Sequence, residues 1–272
     1  MSASNAAPTL GTLRQEIDGI DDALHDLLMR RAGVVQRVAA LTHAGKIPFR
    51  PGREADVIAR LLARHTGPLP RPAIVRWWRE MFAAHISIET AFTIAVADPG
   101  NTGDYAGAAR EHFGSLTSLR IHSSPAQAIE DVSRGVATAA VLPLPVEDEP
   151  AEAVWWTDLL HQDEPHIHIV GRLPFWAARP EGSPRAQALV VAAAAPDRSR
   201  HDRTLIGLAA SDDGRDRVAA LVATGLDVNE VAWRGSAGLI DVAGHLGADD
   251  PRLAALGRAV ILGCYATPIG EV

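Results

Sequence analysis

Residues 9–44 read TLGTLRQEIDGIDDALHDLLMRRAGVVQRVAALTHA, and this stretch decides the fold of the N-terminal third of the chain. Its apolar side chains recur at steps of three and four residues, which predicts one helix with a continuous apolar stripe. The stripe comprises Leu10, Leu13, Ile17, Ile20, Leu24, Leu27, Val34, Val38 and Leu41. A helix of this length spans about 50 Å, so it must pack against another helix or a second chain along most of its length.

Two more helices follow the first. Gly45 and Pro48 mark the predicted end of the first helix, and Pro51 marks the start of a second helix that runs to about His65. A third helix begins near Pro72. Residues 9–92 are therefore predicted to form a long helix, a short helix and a long helix.

Charged side chains interrupt the apolar faces of all three helices. Arg31 falls on the stripe of the first helix, and Arg14 flanks it. Glu54 is in line with the apolar residues of the second helix, and His85 and Glu89 extend the stripe of the third. A guanidinium on a packed face needs an anion. Two interpretations stay open: an internal ion pair of Arg31 with Glu54 or Glu89, or an arginine-lined pocket for a small dianion.

The middle of the chain alternates between short strands and helices, which is typical of an α/β region with some parallel strands. The predicted strands are Phe92–Ala97, Ser118–His122, Thr138–Leu142 and His166–Val170, and the helices are Tyr105–Phe113 and Ala126–Arg134. A linker is predicted at Arg179–Arg185 from its prolines and glycine.

The last segment is predicted to be close to a small ferredoxin-like unit. Its predicted strands are Gln187–Ala193, Thr204–Ala210, Asp227–Ala232, Gly238–Val242 and Val260–Tyr265, interrupted by helices at Gly214–Ala223 and Pro251–Leu256.

Several motifs in the first segment occur together and in order. They are Leu13-Arg14-x-x-Ile17-Asp18, Leu27-Leu28-Met29-Arg30-Arg31, Arg53-Glu54-Ala55, and Arg79-Glu80-Met81-Phe82 leading to Glu89. With this spacing, residues 9–92 resemble the all-helical chorismate mutases. The resemblance implies a three-helix unit that interlocks with a second copy as an all-α dimer, binds chorismate and uses no cofactor.

The resemblance also implies roles for individual residues. Arg14 would reach into the partner's site, Arg31 and Arg53 would clamp substrate carboxylates, Glu54 would hold the substrate hydroxyl, and Glu89 would lie near the ether oxygen. Conversion of chorismate to prephenate is a pericyclic rearrangement without proton transfer. The protein must hold a compact conformer of a dianion and stabilise charge that grows on the ether oxygen, which suits arginine forks and hydrogen-bond donors.

This sequence departs from the family pattern at some of these positions. Thr42 stands where the family has a lysine, and losing one such donor costs about 10²–10³ in rate. Lys46, one helical turn later, is a candidate substitute, and Arg50, in place of a family acid, is another. His85 replaces a small hydroxyl residue, and Glu89 can donate to the ether oxygen only when it is protonated.

The two later segments carry further resemblances. Residues 97–106, ADPGNTGDYA, resemble a loop of the prephenate dehydratases. Because the family's Thr-Arg-Phe motif is absent, residues 93–185 are predicted to be a degenerate lobe without dehydratase chemistry. Residues 186–272 resemble the regulatory ACT domain, with Gly225–Val231 as a strand entry, which implies a possible aromatic amino-acid effector. The predicted fold class is thus a multidomain α+β protein.

Composition excludes several other classes. The net charge is +3 over residues 9–92 and −10 over the remainder, so a nucleic-acid partner is not expected. The longest apolar run, Ala188–Ala195, is too short for a membrane helix. The single Cys264 and the absence of a signal-peptide pattern favour a cytoplasmic protein. The histidines do not follow the spacing of a zinc site, so no metal is expected.

The sequence therefore predicts a cytoplasmic, homodimeric chorismate mutase of phenylalanine and tyrosine biosynthesis. Two alternatives remain. A non-catalytic chorismate-binding or regulatory protein would explain Thr42 and Arg50, and an isochorismate pyruvate lyase would use the same helical bundle.

Overall fold

The computed structural model of the chain describes residues 8–42, 49–161, 163–177, 179, 181–247 and 249–270. The chain divides into two compact units, Met1–Pro48 and Phe49–Val272. Among the residues in these ranges, no helix combines the length and apolar character needed to cross a membrane.

The described part of the first unit is dominated by one helix, α1, Leu10–Thr42, of 33 residues. Thr9 caps its N-terminus, since its hydroxyl accepts the backbone N–H of Thr12 at 3.2 Å. The predicted helix is confirmed, while its predicted end at Pro48 lies outside the described residues. All nine members of the predicted apolar stripe are exposed, at 41–77% of their full surface.

Two helices open the second unit: α2, Pro51–Arg64, and α3, Arg71–Glu89. Both begin with a proline in the first turn, where a missing N–H costs no helical hydrogen bond. They share an apolar cluster whose buried members are Ala55, Ile58, Leu62, Ile74, Val75, Phe82 and Phe175. Because Phe175 follows the strand that ends at Leu173, this cluster joins the helices to the sheet.

Nine strands of the described chain form one mixed sheet in the order β2-β1-β3-β5-β4-β9-β6-β8-β7. The strands are β1 Thr93–Ala97, β2 Ser118–His122, β3 Ala139–Pro143, β4 His168–Leu173, β5 Ala188–Ala192, β6 Asp202–Leu208, β7 Val228–Arg234, β8 Ala237–Ala243 and β9 Ala259–Ala266. β1 pairs in parallel with β2 and β3, and the crossovers are α4, Asp104–Phe113, and α5, Pro125–Ser133. The predicted α/β character of the middle segment is confirmed.

The end of the chain has the ferredoxin-like arrangement. Strands β6 to β9 lie in the order β9-β6-β8-β7, all antiparallel to their neighbours. Helix α6, Gly214–Ala223, connects β6 to β7. The second connection, Pro251–Leu256, is a 3-10 helix and not the expected α-helix. It spans only six residues between a cap at Asp250 and Gly257, whose φ of +68° ends it.

The two halves of the sheet are continuous. β4 pairs antiparallel with β5 and in parallel with β9, so the strands on either side of the predicted linker are hydrogen-bonded to each other. β4 begins at His168, two residues later than expected. The division into segments 9–92, 93–185 and 186–272 stays a prediction.

Candidate functional site

The predicted site residues are distributed over both units. In the first unit, Arg14 is exposed on α1 and Arg31 is partly buried. Thr42 is the last residue of α1, and its side chain is not among those described. Lys46 lies outside the described residues. The second unit holds the remaining members, Arg53, Glu54, His85 and Glu89.

The N-terminus of α2 is held by Asp197 from the segment between β5 and β6. The Asp197 carboxylate accepts the backbone N–H of Arg53 at 3.0 Å and the guanidinium of Arg50 at 2.6 Å. An acidic group at this end of a helix also complements the helix dipole. The hydrogen bond with Asp197 raises the pKa of Arg50. Arg50, a candidate substrate donor, is thus already bound to a carboxylate, while the Arg53 side chain is exposed.

Close backbone contact fixes the same end of the helix. A side chain at Gly52 would place its Cβ 2.2 Å from the carbonyl oxygen of Asp197, so only glycine allows this approach. One turn further along α2, the Asp56 carboxylate accepts the backbone N–H of Arg200 at 3.0 Å. The position of Arg53 and Glu54 is therefore set by this loop as well as by the helix.

Glu54 forms a buried ion pair with Arg79 of α3. The guanidinium Nη1 lies 2.9 Å from Oε2 of Glu54, and the two side chains are 3% and 12% exposed. Arg79 also stacks over the ring of Phe175 at 4.4 Å. Burial lowers the pKa of Arg79 to about 10, although Glu54 opposes the shift. Arg79 therefore keeps its positive charge at neutral pH, and it orients the Glu54 side chain, which is predicted to hold the substrate hydroxyl.

Arg79 was not among the predicted site residues. The predicted stripe of the third helix runs through Ile74, Trp78 and Phe82 to His85 and Glu89. The buried face of α3 contains a second row that shares Phe82 with this stripe and consists of Val75, Arg79, Phe82 and Ile86. That second row has the same spacing of three and four residues and contains an arginine between apolar positions. The signal was therefore present in the sequence.

His85 is buried near the end of α3. Its Nδ1 lies 2.5 Å from the carbonyl oxygen of Met81, so this nitrogen carries the proton. Its Nε2 is fully buried and has no hydrogen-bond partner among the described residues. In a neutral ring Nε2 is an acceptor, whereas the hydroxyl that it replaces in the family pattern is also a donor.

Glu89 is the last residue of α3, and its side chain is exposed. The role implied for it requires a protonated carboxyl, which burial favours. In the single chain the Glu89 carboxyl is exposed to solvent. Bound substrate or a second copy of the chain would have to bury it.

In the loop at residues 97–106, which resembles a prephenate dehydratase motif, the Asp98 carboxylate accepts hydrogen bonds from backbone N–H groups of the same loop. Asp98 is buried and accepts the backbone N–H groups of Thr102 at 3.1 Å and Gly103 at 2.8 Å. These amides precede α4, where free N–H groups would otherwise favour an anion. In this chain they are already paired with Asp98.

Comparison with known proteins identifies the helical segment. Residues 13–90 match the family model described as chorismate mutase type II. The bifunctional chorismate mutase/prephenate dehydratase of Pseudomonas aeruginosa is 34% identical over 153 residues, which is 53% of this chain and 40% of that protein. The protein of the same name from Neisseria gonorrhoeae is 33% identical over 150 residues, 54% of this chain and 40% of its own length. The chain thus spans about two fifths of the curated relatives that it matches.

Solved structures with some likeness include prephenate dehydratase from Streptococcus mutans. Its TM-score is 0.43 at 16% identity, and the match covers 65% of this chain and 98% of that one. The family assignment rests on the sequence match across α1, α2 and α3. Residues 13–90 of this chain thus match the chorismate mutase type II family.

Proposed function

We propose that this chain is a chorismate mutase, which converts chorismate to prephenate in phenylalanine and tyrosine biosynthesis without a cofactor. The match of residues 13–90 to the chorismate mutase type II family carries the proposal. The relatives named for a second activity extend far beyond the matched region, so prephenate dehydratase activity is not part of it.

The side chains suit a reaction that depends on positioning and charge. Arg53 is exposed and available to a substrate carboxylate, and Arg31 is the second proposed clamp. Arg14 is also exposed, as its proposed role in the partner's site requires. Glu54 would receive the substrate hydroxyl in an orientation set by Arg79. A rearrangement without proton transfer gains rate when such groups are held in place before the substrate arrives.

The proposed active form is a homodimer. The nine apolar side chains of the α1 stripe remain exposed in the single chain, and a contiguous apolar surface of this size marks an interaction site. A second α1 presents a matching stripe of the same length, as in helices that pair along an apolar seam. This arrangement supports the expectation that Arg14 serves the site of the partner subunit.

Regulation by an aromatic amino acid and a cytoplasmic location complete the proposal. The ferredoxin-like arrangement of β6 to β9 supports an ACT-type role for the end of the chain. Adding phenylalanine or tyrosine to the activity assay tests for an effector. The unpaired, buried Cys264 is in keeping with a reducing compartment.

A non-catalytic chorismate-binding protein is the second candidate. The observation that favours it is the 2.6 Å contact between Arg50 and Asp197, which occupies one of the two cations proposed to replace the missing lysine. Lys46 is then the remaining candidate to replace the lysine that the family has at the position of Thr42.

Proton NMR of the full chain with chorismate separates these possibilities. The proposal predicts that the signals of chorismate are replaced by those of prephenate. It also predicts that turnover falls sharply in Lys46→Ala and is retained in Lys46→Arg. Chorismate that binds but is not converted would support the non-catalytic candidate, and pyruvate released from isochorismate would instead indicate the lyase.

A further inference from the structure

Three potential metal ligands converge at one end of the ferredoxin-like part of the sheet. Among the described residues, the carboxylate of Asp202, the ring of His245 and the sulfur of Cys264 bring one donor atom each within 4.8 Å of one another. Nδ1 of His245 lies 3.3 Å from Sγ of Cys264 and 3.8 Å from Oδ2 of Asp202.

Strand register places two of these residues on one face of the sheet. Thr204 of β6 is directly opposite Cys264 of β9 in the antiparallel ladder, so their side chains point to the same side. Asp202 precedes Thr204 by two residues and therefore shares that face. Asp202 and Cys264 are thus diagonal neighbours, and pairing of β6 with β9 fixes their spacing.

His245 is brought to this face by the turn after β8. The hydroxyl of the buried Thr204 donates to the carbonyl oxygen of Gly244 at 2.7 Å and accepts the N–H of Leu246 at 3.0 Å. Both chain neighbours of His245 are therefore bound to one side chain of β6. The histidine is positioned by the same strand that carries Asp202.

Hydrogen bonds from Ser199 orient the carboxylate of Asp202. The backbone N–H of Ser199 lies 3.1 Å from Oδ1 and 3.0 Å from Oδ2, and the Ser199 hydroxyl donates to Oδ1. The Asp202 side chain is only 2% exposed. Carboxylates that bind metals are typically held by such outer hydrogen bonds.

The geometry differs from that of a cysteine nucleophile with its base. In a catalytic cysteine–histidine–carboxylate triad, the thiol and the carboxylate contact opposite nitrogens of the histidine ring. Here both the sulfur and the carboxylate face Nδ1.

We propose that Asp202, His245 and Cys264 form a binding site for a divalent transition metal of the zinc type. Zinc takes sulfur ligands at about 2.3 Å and nitrogen or oxygen ligands at about 2.0–2.2 Å, so tetrahedral donors lie about 3.3–3.6 Å apart. The separations of His245 from Cys264, 3.3 Å, and from Asp202, 3.8 Å, lie close to that range, and the donor atoms of Asp202 and Cys264 are within 4.8 Å of each other. One carboxylate, one thiolate and one neutral imidazole also balance a double positive charge.

The site has an open side. The His245 side chain is 32% exposed, whereas the Asp202 side chain and Cys264 are buried. An ion can therefore enter past the histidine, and a water can complete a set of three protein ligands. Spacing in the sequence does not reveal this site, because the ligands come from two strands and a turn far apart along the chain. The inference is independent of the proposed mutase activity.

Cobalt titration of the full chain tests the site directly. The protein is stripped with a chelator, kept reduced with a phosphine, and titrated with Co²⁺ while its absorption spectrum is recorded. The proposal predicts a near-ultraviolet band from thiolate-to-cobalt charge transfer that saturates at one cobalt per chain. Zn²⁺ should displace the cobalt and remove the band.

Variants assign the band to this cluster. Cys264→Ser should abolish the band, and His245→Ala should weaken cobalt binding by at least about tenfold. His201→Ala is the matched control, because His201 is an exposed neighbour of Asp202, and it should bind cobalt like the parent. If Cys264→Ser does not fold, His245→Ala decides, since its side chain is partly exposed. Absence of the band, or a band unchanged in His245→Ala, would overturn the proposal.

Discussion

The guanidinium of Arg79 lies 2.9 Å from the carboxylate of Glu54, and both side chains are largely excluded from solvent. Arg79 is more deeply buried than any other ion-paired arginine described, and it connects α3 to the start of α2. The relationship explains how a carboxylate proposed to bind substrate is held in one orientation. It also means that the packing of α2 on α3, and with it the free energy of unfolding, should depend on this one ion pair.

Removing one member of the pair should be costly. Arg79→Ala leaves the Glu54 carboxylate buried without this partner, and we expect it to lower the free energy of unfolding by about 3–5 kcal/mol. Arg76→Ala, an exposed arginine one turn earlier on α3, should change it by less than about 0.5 kcal/mol. Urea denaturation followed by circular dichroism measures both. Equal effects of the two substitutions would contradict the structural importance of the pair.

Because the Asp197 backbone crowds Gly52, an alanine there should destabilise the protein, unlike an alanine at an uncrowded helical glycine. Gly52→Ala places a methyl group against the Asp197 backbone, and we expect a loss of about 1–3 kcal/mol in unfolding free energy. Gly19→Ala on α1 meets no atom within 4 Å and should be neutral or slightly stabilising. Thermal unfolding of both variants measures the contrast. A neutral Gly52→Ala would show that the loop at Asp197 does not hold α2 in place.

Acid should destabilise the second unit through His112. Burial, with a smaller contribution from Arg79, holds the pKa of His112 well below its ordinary value. The unfolded chain therefore binds the proton more readily, so stability is complete above about pH 6.5 and falls as the pH drops below that value. The limiting slope is about 1.4 kcal/mol per pH unit. Unfolding free energies measured from pH 7.5 to 5 test this.

The matched variants for this test are His112→Leu and His161→Gln. His112→Leu removes the buried ring nitrogens and should flatten the loss of stability in acid. His161 is exposed, and its substitution should leave the pH profile as in the parent. A profile that is equally steep in His112→Leu would assign the acid sensitivity to other groups.

A charge on the apolar stripe of α1 should separate the proposed dimer. Leu24 lies near the middle of the stripe and is 53% exposed in the single chain. Leu24→Glu would place two carboxylates in an apolar seam, so we expect the dimer to dissociate at micromolar concentration. Gln15→Glu on the polar face of α1 is the control and should remain dimeric. Sedimentation velocity measures the mass, and a Leu24→Glu variant that is still dimeric would exclude this seam as the interface.

Local patterns predicted the helices and strands well, because each pattern depends on neighbours along the chain. Steps of three and four residues located α1, and alternating or fully apolar runs located β1, β3 and β5. The 3-10 helix at Pro251–Leu256 was missed in type, since only the backbone turn at Gly257 shows that the segment cannot continue as an α-helix.

Contacts between segments far apart in the sequence could not be predicted from such local patterns. The pairing of β4 with β9 and the clamp of Asp197 on α2 join residues with no shared motif. The same is true of the cluster of Asp202 and Cys264, which depends on strand register. For the proposed mutase site, the resemblance supplied Arg31 and Glu54, whereas Arg79 becomes apparent only from the second row of buried positions on α3.

The rate of chorismate disappearance tests the central claim most directly. It is followed by absorbance with the purified full chain, beside Arg31→Ala and the exposed neighbour on the same helix, Arg37→Ala. The account predicts turnover well above the uncatalysed rate, a loss of about 10²–10³ in Arg31→Ala, and little change in Arg37→Ala. No turnover above the uncatalysed rate from pH 5 to 8, by a folded and dimeric protein, would contradict it.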